Sequence, residues 1–173
     1  MKALRVVLWI GAALVLQSLV ARWTGTSRIR VDLPLVAVVY AALAHGRVAG
    51  LLGGSLAGLA QDSVSGGIIG IGGLAKTVAG FMAGVVGTQF IVTQTWARLL
   101  VFTGATVVNA VLFIGLYVLL GLRQLDQPFL DITLEAVSNG IVGLMAFEVV
   151  EFLPGARDRW RASRSHRHRG RYR

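Results

Sequence analysis

Hydrophobic and polar positions divide the chain into six apolar stretches separated by short polar breaks. Lys2 and Arg5 precede the first, at 6–21, and residues 22–32 form a polar connection. Two shorter stretches follow, 33–44 and 48–60, parted by His45-Gly46-Arg47. A glycine-rich loop at 62–73 leads to the fourth stretch, 74–92, and a polar turn at 93–98 to the fifth, 99–120. A loop at 121–131 containing Pro128 precedes the last stretch, 132–153, which Pro154-Gly155 closes as proline and glycine close helices. Apolar runs approaching about 20 residues are the mark of membrane-crossing helices. The pattern predicts an all-α polytopic membrane protein, with about six transmembrane helices in one bundle over 1–155. A basic, disordered cytoplasmic tail over 156–173 follows it.

The second and third stretches are short. Counted with their flanks as 31–44 and 46–62, they reach about 21 and 25 Å at 1.5 Å per residue, below the roughly 30 Å of a hydrocarbon core. They read as short helices in a locally thinned bilayer or as a re-entrant hairpin. One helix through both would place Arg47 at mid-membrane, at a cost of about 2.5–3.5 kcal/mol. The first stretch reads as a retained helix rather than a signal peptide, because Leu19 spoils the small-x-small pattern before Ala21.

Composition supports the membrane reading. Hydrophobic residues make up 55% of the chain and charged residues 14%, against about 25% charged in soluble domains. A soluble fold of this composition would expose large apolar patches. The absence of cysteine excludes disulfides, thiolate metal sites and cysteine nucleophiles. Of the three histidines, His166 and His168 lie in the tail with only His45 outside it, so no metal site is implied.

The formal net charge of +9 resides mostly in the tail, where eight arginines face one acid, Asp158. With both termini on one side, twelve basic residues fall on the terminal side and four on the other. The positive-inside rule then makes both termini cytoplasmic, in a bacterial inner-membrane protein of several passes. Arg157, Arg159, Arg161, Arg164, Arg167 and Arg169 suit anionic lipid headgroups, at about 1 kcal/mol per basic residue. Tethering at the membrane argues against a nucleic-acid partner.

Gly46, Gly50, Gly54 and Gly58 recur every fourth residue and share a face of the third helix, as Gly80 and Gly84 do on the fourth. Small residues at this spacing let helix backbones approach closely in lipid. The face serves packing within the bundle or, in the sharper reading, docks a helix of a partner protein through Gly50, Gly54, Gly58, Gly80 and Gly84. Asp62 and Lys76 flank the glycine loop, and charges at membrane depth are usually paired; an Asp62–Lys76 ion pair is expected there. The loop lacks the Gly-Lys-Ser/Thr of a phosphate-binding loop and reads as tight turns at the membrane surface. Glu135 and Asn139 share a face of the last helix, Glu148 and Glu151 lie near its cytoplasmic end, and Asn109 sits mid-way along the fifth. The carboxylates gather at the two ends rather than lining a path, which argues against ion transport. No catalytic set and no cofactor site emerges.

One stretch resembles a known family. Asp32-Leu33-Pro34, Gly50-x-x-Gly53-Gly54-x-x-x-Gly58, Gln61-Asp62-x-x-Ser65-Gly66, Gly70-x-Gly72, Leu74-x-Lys76 and Gly80-Phe81 follow the order of features in the rod shape-determining protein MreD family. The arginine-rich tail is longer than the usual family C-terminus. The resemblance implies a non-enzymatic component of the bacterial elongation machinery. Such proteins bind MreC and act with MreB, RodA and a class B penicillin-binding protein in lateral peptidoglycan synthesis. It also implies a fold similar to the substrate-binding subunits of energy-coupling-factor vitamin transporters, which supplies the alternative function. For that alternative the outer loops offer Trp23, Arg28, Arg30 and the glycine loop.

Overall fold

A computed structural model describes residues 2–24, 31–89, 94–121 and 128–152. Six helices make up the described chain: α1 (Lys2–Thr24), α2 (Leu33–His45), α3 (Arg47–Ser65), α4 (Ile71–Gln89), α5 (Thr95–Leu119) and α6 (Pro128–Phe152). They are the six that the apolar pattern predicts, with shifted ends. α4 starts at Ile71, inside the predicted glycine loop, and α5 starts inside the predicted polar turn. Pro128 opens α6 rather than lying in a loop, because a proline at the first helical position forgoes only an amide that would have no partner there. The tail arginines Arg157, Arg159, Arg161, Arg164, Arg167 and Arg169 lie outside the described residues, as do Arg28 and Arg30.

The helices alternate in direction. α3 and α4 are antiparallel, Gly50 lying beside Gly80 and Gly58 beside Gly72. α5 and α6 are antiparallel too, with Thr103 at Gly140 and Phe102 at Gly143. α2 runs parallel to α4, Val38 meeting Gly80 and Leu43 meeting Gly87. The core lies where α2, α4, α5 and α6 converge: Leu35, Val36, Val39, Ala42, Leu43, Ala79, Ala83, Phe102, Ala105 and Phe147 pack together. On the other side of α2, Ile10 of α1 packs with Val38 and Ala57.

α4, α5 and α6 are long and apolar enough to cross a membrane, over Ile71–Gln89, Thr95–Leu119 and Ile132–Val149. α2 has 13 residues, about 20 Å of helix. It nonetheless lies against α4 from Lys76 to Gly87. That contact covers about 17 Å of the roughly 28 Å of α4, so α2 is shorter than the helix it packs on. The chain reverses between α2 and α3 at Gly46, whose φ of 95° lies where a side chain would be strained. One continuous helix through Arg47 is thereby excluded.

Candidate functional site

The N-terminus of α2 gathers polar groups from four helices. Asp32 caps it, Oδ1 accepting the Leu35 N–H at 3.1 Å. Asp32 Oδ2 lies 2.6 Å from Lys76 Nζ of α4. The Asp32 N–H donates to Asn139 Oδ1 of α6 at 2.8 Å, and the Leu33 N–H to Gln17 Oε1 of α1 at 3.0 Å. Asp32, Lys76 and Asn139 are 6%, 3% and 0% exposed. A buried charge stripped of its partner is strongly destabilising, so this node fixes how α2, α4 and α6 meet.

Lys76 is therefore paired, but with Asp32 and not with Asp62 as the sequence suggested. The physical reason is the use already made of Asp62, whose Oδ2 accepts the N–H of Gly70 at 2.8 Å and of Gly73 at 3.2 Å. That carboxylate closes the turn and satisfies amides at the start of α4. Lys76 stands about a turn and a half further along α4, on the side facing α2. The signal for the true pair was available, since an Asp just before Leu-Pro is a helix-start signature. It places Asp32 at the same end of the bundle as Lys76.

The glycine faces are likewise found elsewhere than in the sharper reading. A Cβ on Gly50 would stand within 3.0 Å of the Gly80 carbonyl, on Gly54 of the Lys76 carbonyl, and on Gly58 of the Gly72 carbonyl. On Gly84 it would strike the Arg47 backbone. Gly50, Gly54, Gly58, Gly80 and Gly84 thus form the seam between α3 and α4, and that seam leaves no room for a helix from another protein. The Ser55 and Thr77 hydroxyls meet across the same seam at 2.8 Å. Outward, α3 shows Val48, Leu51, Leu52, Leu56 and Leu59.

At the opposite end of the bundle, Arg98 Nη1 of α5 lies 3.1 Å from Glu148 Oε1 of α6. The Arg98 guanidinium stands 4.1 Å above the Phe147 ring, and Phe147 meets Tyr40 of α2 edge-on at 5.3 Å. The sequence placed Glu148 near the cytoplasmic end of the last helix without giving it a partner. Asn109 is buried in α5, while Glu135 is only half-buried.

The geometry is that of a bundle whose interior charges and amides fix one helix against another, while its outward faces are aliphatic. The family model for rod shape-determining protein MreD matches residues 2–152. Comparison with curated proteins and with solved structures finds no match, so the expected likeness to energy-coupling-factor subunits gains no support there.

Proposed function

Because the chain belongs to the rod shape-determining protein MreD family, we propose that it is a non-enzymatic membrane scaffold of the elongation complex, binding MreC and supporting lateral peptidoglycan synthesis. Membership ties it to rod shape determination; the scaffold role, MreC, and the company of RodA, a class B penicillin-binding protein and MreB are the proposal. The observation that carries it is the family match across all six helices. The internal use of the polar groups supports it. Asp32, Lys76 and Asp62 are committed to one another or to backbone amides, which suits a body that works by contact.

A partner helix in this reading meets an outward aliphatic face, such as that of α3, α5 or α6, and not the glycine seam. Both termini are assigned to the cytoplasm by the distribution of basic residues, and the tail arginines to anionic headgroups. The test is gentle solubilisation of native membranes, capture of the tagged chain and identification of what accompanies it by mass spectrometry. Recovery of MreC or a class B penicillin-binding protein supports the scaffold. Recovery of an ATPase pair with a transmembrane coupling subunit refutes it in favour of vitamin uptake.

A further inference from the structure

Three buried polar side chains around the start of α2 have hydrogen-bonding capacity that the protein itself does not use. Asn139 accepts the Asp32 N–H through Oδ1, but its Nδ2 meets no partner among the described residues. Asn109, buried in α5, has an Oδ1 without a partner. The Lys76 ammonium carries three N–H groups, and Asp32 is its one partner among the described residues. A buried donor or acceptor left unmet is costly, and native interiors rarely keep several in one place.

Helix packing brings these groups to one level. Phe102 and Ala105 of α5 pack with Ala79 and Ala83 of α4, and the two helices run in opposite directions. Asn109 lies about one turn beyond Ala105, and Lys76 just under one turn before Ala79, so the two stand at the same height. Asn109 is on the buried face of α5 with Phe102, Ala105 and Thr106. Across α5 and α6, Thr103 meets Gly140 and Phe102 meets Gly143, which puts Asn139 about one turn from Asn109. Asn139 in turn touches Asp32, the partner of Lys76.

The open groups define what can fill the space between them. Lys76 Nζ and Asn139 Nδ2 need an acceptor, and Asn109 Oδ1 needs a donor. Asp32 and Lys76 already balance in charge, so an anion or a cation would add an uncompensated charge in the interior. Water offers two lone pairs and two protons, and buried waters typically make about three hydrogen bonds to groups of this kind.

We propose that a single water is bound there, accepting from Lys76 Nζ and Asn139 Nδ2 and donating to Asn109 Oδ1. The direct contacts of the node join α1, α2, α4 and α6; the water adds α5. Asn109 is then a ligand of the node and not an isolated polar residue in an apolar helix.

Asn109 and Asn139 are the chain's only asparagines, so asparagine labelled with nitrogen-15 in the side chain gives two amide signals. The test transfers magnetisation from water protons to these nitrogens by solid-state NMR, on the full chain in phosphatidylcholine vesicles. The dry reference is the backbone amide of the fully buried Val38. Transfer to Asn139 Nδ2 is expected to build up several-fold faster than to Val38; build-up as slow as at Val38 overturns the proposal. Asn109→Leu removes the acceptor and fills its space. In that variant, with its circular dichroism unchanged, transfer to Asn139 should fall to the Val38 level, and fast transfer retained there overturns the shared water. The unsubstituted chain decides the matter by itself should the variant not fold.

Discussion

Replacing Lys76 by methionine removes the ammonium that stands 2.6 Å from Asp32 Oδ2 while keeping most of the side-chain volume. Asp32 remains, 6% exposed, as a buried carboxylate that keeps its bond from the Leu35 amide but has lost its counter-charge, and breaking a buried pair from one side costs about 3–5 kcal/mol. Asp32→Asn strands the lysine in the same way yet keeps an oxygen to cap the Leu35 amide, so cap loss, worth about 1 kcal/mol, stays out of the comparison. The double variant Asp32→Asn/Lys76→Met strands neither charge. It is therefore expected to be far less destabilised than the sum of its parents, with a coupling of about 2–3 kcal/mol, towards the upper end of what contacting residues show. The control cycle is Asp62→Asn with Lys76→Met. Asp62 is engaged with Gly70 and Gly73, so these losses are expected to add to within about 0.5 kcal/mol. The assay is reversible unfolding in mixed micelles followed by far-ultraviolet circular dichroism. Additivity in the first cycle with strong coupling in the second would assign Lys76 to Asp62 instead of Asp32.

Gly54→Leu should unfold the α3–α4 hairpin rather than spare it, since overpacking costs about 1–3 kcal/mol even where atoms can shift and here backbone faces backbone; loss of the folded form in size-exclusion chromatography checks this. Glu148→Gln leaves Arg98, 5% exposed, without its carboxylate and should lower the unfolding midpoint, whereas exposed Val149→Thr should leave it unchanged. Photo-crosslinkers at the outward positions Leu52, Val111 and Ile141 are expected to capture MreC from at least one of the three faces in cells; silence at all three with capture from the glycine seam would contradict the outward assignment.

Most of the architecture was legible because a bilayer imposes a length rule that apolar runs reveal directly. The order of helices, the break at Gly46 and the reversal at the glycine turn all follow from it. The glycine spacing on α3 correctly marked a face of close approach, but spacing alone does not say whose backbone approaches. The mating helix is α4, whose own Gly72, Gly80 and Gly84 supply the other half of the seam. The ion pair was misassigned because sequence proximity favoured Asp62, eight residues before the amide of Gly70 that it caps. Asp32 and Asn139 are 107 positions apart, and only the packing of α2 between α4 and α6 brings them together. Long-range polar contacts of this kind leave no periodic trace.

Direct binding of MreC can be measured by reconstituting the purified chain with purified MreC in vesicles and following energy transfer between fluorophores on the two. The scaffold account expects transfer that saturates with MreC and is competed away by unlabelled chain. Transfer no greater than that with an unrelated single-span protein at the same lipid dilution would contradict it.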